Sequence, residues 1–334
     1  MSNSIGDKNN GGAGEDIAMT LAAIAYETGY DGITNLLNAH APDWKCVWWP
    51  DNEVNGNYAY IAYNGAQYIV AIRGSVLSFS WATFQDWFEQ DFNVFEQVDW
   101  TYPSSSTKPK ISLGASYGLA DLTSLVMTDP VKKTQTRMLD YLLGNLTSDF
   151  DSIGVVGHSL GGGLSTVFAP WLYYQIQSAQ KPIPILFPVM TFAAPAVGNQ
   201  AFADAYDATF AAAYRFYNII DIVPMASATI GNMGFVFPPP APAASQISVT
   251  YDGITVTLQE AILTLATALE GSEWWQSSYY TQPTNNTIQF NTSKHVCPVD
   301  TKDPLIEQWF EQASCQHSRC TYLTYAGAKP FNCD

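Results

Sequence analysis

Basic side chains are scarce in this 334-residue chain: 14 Lys and Arg stand against 30 Asp and Glu, a formal charge of -16. That balance repels phosphate backbones and anionic head groups, and it argues against nucleic acid as a partner. No run of about 18 uninterrupted apolar residues occurs, so no transmembrane segment is expected. The opening stretch MSNSIGDKNNGGAGED lacks both a basic n-region and an apolar h-region. No Sec-type signal is therefore visible, and the expected location is cytoplasmic or reached by a route that leaves no such mark. Cysteine is limited to five positions, Cys46, Cys297, Cys315, Cys320 and Cys333, without two CxxC pairs, so no metal site is expected. Four of them crowd the C-terminus, which suits one or two disulfides bracing that end, with the pairing left open. Histidine is limited to His40, His158, His295 and His317.

Apolar side chains, in contrast, are plentiful. They make up 47% of the chain, with 10 Trp, 19 Tyr and 17 Phe, enough for a large core and some apolar surface. EDIAMTLAAIAYET (15–28) has helical spacing behind an acidic start. YAYIAYN and AQYIVAIRGS flank Asn64-Gly65, the signal of a hairpin. FSWATFQDWFEQDFNVF (79–95) places Trp81, Phe84, Trp87 and Phe88 at mixed three- and four-residue spacing, which suits a helix with an aromatic face, either in the core or as a lid contacting acyl chains. KISLGASYGLADLTSLVM reads as a short strand turning into a helix, followed by a further helix over 130–146 with Pro130 near its start. Further on, IPILFPVMTFAAP reads as a buried strand, NQAFADAYDATF as a helix and AAYRFYNIIDIVP as a strand. Such alternation predicts an α/β fold, with a mostly parallel central sheet covered by helices on both faces. From 231 the texture changes to the Pro-rich GNMGFVFPPPAPAASQ, and TVTLQEAILTLATALEG (255–271) reads as an apolar-faced helix. We expect one domain over 1–334, with 230–295 as a cap insertion; no internal repeat is visible.

The segment SIGVVGHSLGGGLSTVFAP (152–170) contains Gly157-His158-Ser159-Leu160-Gly161, a G-x-S-x-G pattern between a buried strand and the start of a helix. A strand-turn-helix junction of this kind is what a nucleophile elbow requires, because the serine occupies a strained turn and the flanking glycines let backbone approach closely. The alternative is a tight turn with Ser159 as a helix N-cap. A serine hydroxyl is a weak nucleophile and needs a base and an orienting acid, expected in the chain order Ser, acid, His. Downstream of Ser159 only His295 and His317 are available as base. His158 is expected to point away along the strand and His40 comes too early, so both are read as structural. Asp221 closes RFYNII at a strand's C-terminal edge, where α/β sheets build sites. Asp204 and Asp207 fall on a helix face. The backbone N–H groups of Ser75, after YIVAIRG, and of Leu160 are candidates for an oxyanion hole. Arg73 is expected to anchor its strand end by pairing with a carboxylate.

Taken together, YIVAIRGS, FQDWFEQDF, VVGHSLGGGLSTVFA, FAAPAVGN, YNIIDIVP and HSRCTYL resemble the class 3, fungal-type lipase family of the α/β-hydrolase superfamily, over about residues 58–225 and 304–325. The resemblance implies Ser159 as nucleophile, Asp221 as orienting acid, His317 rather than His295 as base, and Ser75 with Leu160 as oxyanion hole. It also implies hydrolysis of carboxylic esters of lipids, as a triacylglycerol lipase or esterase, on a substrate presented at a lipid–water interface, without metal or organic cofactor. A phospholipase A-type effector and an inactive lipid-binding module are the competing readings. SLGASYG departs from the family's His-x-Gly-Phe pattern, and the stretch between Asp221 and His317 has no counterpart in the resemblance.

Overall fold

The computed structural model describes residues 14–75, 79–86, 96–102, 108–146, 152–181, 187–251, 253–270, 280–290 and 296–333. A central sheet of seven strands runs in the order β1 (Lys45–Trp48), β2 (Ala59–Tyr63), β3 (Gln67–Ile72), β4 (Ser152–His158), β5 (Val189–Phe192), β6 (Ala213–Asn218) and β7 (Thr287–Phe290). The first three strands pair antiparallel, and β3 through β7 pair parallel. The hairpin expected at Asn64-Gly65 joins β2 to β3, with Tyr63 opposite Tyr68. The Asn64 side-chain oxygen accepts from the N–H groups of Ala66 and Gln67 at 3.0 and 2.8 Å, which closes the turn.

Strands β3 and β5 are buried along their whole length, because helices cover both faces of the sheet. The period-two alternation of β3 divides its side chains between two cores. Val70 and Ile72 join one cluster with Leu164, Val167 and Phe168 of α5 (Leu160–Ser178), beneath α3 (Leu113–Ser124) and α4 (Met138–Asn145). Ile69 and Ala71 join another with Leu21 and Ile24 of α1 (Glu15–Ile24), Ile33 of α2 (Tyr30–His40) and Tyr322 of α9 (Arg319–Tyr325). A third cluster unites the loop after β6 with α7 (Leu258–Glu270) and α8 (Leu305–His317), through Ile220, Ile222, Ile262 and Trp309. Helix α6 (Gln200–Thr209) starts where Asn199 accepts the N–H of Phe202.

Two expectations require correction. The helix placed over 130–146 is only α4; residues before it form an antiparallel pair, Val126–Thr128 with Gln135–Arg137. Asp129 accepts the N–H groups of Val131 and Lys132 at 2.8 and 2.7 Å, so the Asp-Pro sequence builds a side-chain-closed turn that competes with helix initiation. The excursion placed over 230–295 ends earlier, since β7 returns to pair with β6 as the edge strand of the central sheet. Within that excursion Ser248–Tyr251 and Ile254–Thr257 form a hairpin, and the helix expected over 255–271 begins at Leu258. Of the segment expected as a lid over 79–95, residues 81–86 form a short helix, while 87–95, with Trp87 and Phe88, lie outside the described residues, as does the side chain of Phe84.

Candidate active site

At the end of β4 the backbone reverses within one residue: Ser159 has φ 61° and ψ −133°, a conformation that costs a non-glycine residue about 1–3 kcal/mol. The chain can make this turn because α5 crosses very close to its neighbours. A Cβ on Gly157 would fall within 3.0 Å of the Gly161 carbonyl, and one on Gly161 within 3.0 Å of the backbone of Ile72 and Arg73. Glycine is thus required at both positions by contact. Ser159 makes no side-chain cap bond to α5. Its hydroxyl turns instead to His317, with Oγ 2.7 Å from Nε2.

The other side of the His317 ring meets the acid: Nδ1 lies 2.8 Å from Oδ2 of Asp221. Asp221 is fully buried beyond the C-terminal end of β6. Tyr322 donates to Oδ2 at 2.8 Å, and the Val223 N–H donates to Oδ1 at 2.9 Å. Burial and then the neighbouring Asp221 charge push the Tyr322 phenol well up, so it keeps the proton it donates. Tyr322 also accepts the Asn218 N–H, while the Asn218 amide donates to the backbone and side-chain carbonyls of Gln316. These bonds tie the end of β6, just before the acid, to α9 (Arg319–Tyr325) and to the last turn of the helix that carries the histidine. His317 itself is the last residue of α8; Ser318 then caps α9 by accepting the Thr321 N–H. Disulfides Cys297–Cys315 and Cys320–Cys333 close loops on either side of it, while Cys46 is a buried free thiol.

His158, read from sequence as structural, is buried directly under the site. Its Nε2–H donates to the His317 carbonyl at 3.0 Å, and its Nδ1 accepts from the Tyr26 hydroxyl at 2.9 Å. Burial, reinforced by nearby His317 and Arg319, holds its pKa well below the usual histidine range. The ring is therefore neutral and acts as a fixed donor to the backbone of the base. Arg319 lies over the Tyr26 ring, 4.4 Å from its centroid. His40 stacks on Phe331, away from this network.

Ser75 borders two clefts. One, of about 750 Å³, is walled by Phe79, His317, Arg319 and Tyr26; the other, of about 560 Å³, is walled by Leu160, Leu164, Arg73 and Asp121. Leu160 opens α5, so its N–H has no acceptor within the helix. Arg73 pairs with Glu53 at 2.5 Å and anchors its strand end. Asp204 accepts from Gln200, and Asp207 from Thr284 and Asn285, so both helix-face acids serve structure. Trp81 donates to the Thr250 carbonyl at 3.2 Å, which seats the start of the 79–95 segment on the 248–257 hairpin. His295 lies outside the described residues. Sequence reasoning did not single out Tyr26, Asn218, Phe79 or Tyr322; Asn218 and Tyr322 stood inside YNIIDIVP and HSRCTYL, but nothing local marks them as partners of a carboxylate.

This serine-histidine-aspartate arrangement coincides with a family match, since the model of class 3 lipases covers residues 69–230. Residues 69–230 match the class 3 lipase family. That segment contains Ser75, Ser159, Leu160 and Asp221, whereas His317 is supplied from beyond it. A stretch of 125 residues is 32% identical to a Caenorhabditis elegans lipase, Lipase ZK262.3, covering 37% of this chain and 33% of that one. The chain thus matches about a third of the length of that curated relative. The crystal structure of M37 lipase superposes with a TM-score of 0.67 at 23% identity, over 94% of this chain and 92% of that one. The matched segment is built into an α/β-hydrolase fold, and Ser159, His317 and Asp221 are arranged like a triad within that fold.

Proposed function

We propose that this chain hydrolyses carboxylic esters of lipids through an acyl-enzyme on Ser159. The observation that carries the reading is the hydrogen-bonded series Ser159 Oγ, His317 and Asp221, set on a left-handed elbow at the start of a helix. Oγ donates to Nε2 only when the Nδ1 of His317 carries its proton, and Asp221 selects that tautomer. In the reaction Oγ attacks the ester carbonyl carbon while Nε2 takes the hydroxyl proton; the carbonyl π pair moves onto oxygen. The N–H groups of Leu160 and Ser75 are the donors for that oxyanion, assisted by the positive end of α5. Collapse breaks the C–O bond, and the proton on Nε2 leaves with the alcohol. Water then repeats the sequence on the acyl-enzyme and releases the acid. The bonds from Val223 and Tyr322 hold the Asp221 carboxylate in place while the imidazolium exists.

The test is the initial rate on p-nitrophenyl esters from butyrate to palmitate, for the wild type and Ser159→Ala. Nucleophile removal is expected to lower kcat by about 10⁶-fold, the scale of loss seen when a serine protease is stripped of its nucleophile. Rates rising toward long chains support a lipase; rates confined to short chains make the enzyme an esterase. Equal rates for the two proteins refute the assignment of Ser159.

A further inference from the structure

We propose that Arg215 is the recognition point of a binding site for a small oxyanion, a carboxylate or phosphate group, in a cleft beside the Asp221 loop. The cleft has a volume of about 420 Å³ and is walled by Arg215, Tyr217, Thr229, Asn232, Thr281 and Gln282. Arg215 lies on β6, part-buried, and also lines a narrow second pocket. Among the described residues no hydrogen bond or ion pair ties its guanidinium to the protein, and its Nε is sealed from solvent without a partner. Its close neighbour is the face of Tyr217, 4.6 Å away.

Unpaired charge in a part-buried position is costly, and proteins ordinarily compensate it. Within this same molecule Arg73 is compensated, by Glu53 and by the Gly56 carbonyl. No acid does so for Arg215 among the described residues. Asp221 also borders the cleft, but its carboxylate is taken by His317, Tyr322 and Val223. Asp207, near the second pocket, is taken by Thr284 and Asn285. In a chain of net charge -16 a guanidinium without a partner among the described residues does not follow from the general surface composition. Its planar fork matches the two oxygens of a carboxylate or phosphate, while Thr229, Thr281 and Asn232 supply neutral polar groups around it. The described walls of the cleft bring no second free acid to oppose an anion.

Thermal unfolding of the full chain in sodium acetate, in sodium phosphate and in sodium chloride, at equal ionic strength and pH 7, tests the assignment. Acetate or phosphate is expected to raise the wild-type Tm by several degrees over chloride at saturation, and Arg215→Gln to abolish that rise. A rise with acetate alone identifies the ligand as a carboxylate; a rise with phosphate alone identifies it as a phosphate. Arg215→Met exchanges the charge for apolar volume and supports the same comparison should the Gln variant not fold. An equal rise in wild type and variant, or no rise of the wild type over chloride, overturns the proposal.

Discussion

Acid should unfold this protein through His158 before its carboxylates begin to titrate. The ring is 2% exposed, donates to the His317 carbonyl, accepts from Tyr26, and is held well below its ordinary pKa of 6.5, chiefly by burial and then by the His317 charge. In the unfolded chain the same ring takes up a proton near pH 6.5, so below that pH the unfolded state binds the extra proton and gains on the folded one. The stability associated with the neutral ring is therefore fully present above pH 6.5 and is lost as pH falls below it. One proton corresponds to about 1.4 kcal/mol per pH unit, so lowering pH from about 7.5 to about 5 should cost about 2 kcal/mol from His158 alone. His158→Gln keeps a donor for the His317 carbonyl and an acceptor for Tyr26 but does not titrate. Urea unfolding with the disulfides intact, at half-unit steps over the same pH range, should show the wild type losing about 2 kcal/mol more than the variant. Parallel stability curves for the two proteins would refute the placement of a neutral, buried imidazole beneath the base.

Three further outcomes are expected. Ser159→Gly and Ser159→Ala both remove the hydroxyl, but only glycine relieves the positive φ, so the Gly variant should be more stable by about 1 kcal/mol in the same urea assay; equal stability would argue against strain at the elbow. Tyr322→Phe removes a donor to the buried Asp221 and leaves the Asn218 N–H without its acceptor, which should cost about 2–4 kcal/mol; a loss under about 0.5 kcal/mol would show that this network contributes little. Burial pushes the Cys46 thiol up to about 12, so alkylation at pH 8 should be about a thousandfold slower in the native protein than in urea, and rapid native labelling would contradict its burial.

Features built by neighbouring residues were legible in the sequence. The elbow could be read because its cause is local: a buried strand, a forced reversal and glycines where backbone must cross backbone all lie within about ten residues of Ser159. Asn64-Gly65 likewise announced its hairpin, and the alternation of elements implied a parallel sheet. By contrast, spacing alone left His295 and His317 as alternatives, and a family resemblance was needed to prefer one. His317 stands 96 residues from Asp221 and 158 from Ser159, and no short-range preference acts over such separations. Only the packing of α8 and α9 against the end of β6 brings that ring between Ser159 and Asp221, and only the sheet order places Tyr26 and His158 under it. The Asp129 turn was lost to a helical reading because its side chain outcompetes a weak helix start, and β7 because an edge strand of alternating exposure carries little apolar signal. Local steric rules thus determined from sequence where a nucleophile could stand, while its base, the support of its acid and the setting of Arg215 were decided by the tertiary structure, since burial and long-range contact exist only once the sheet has assembled.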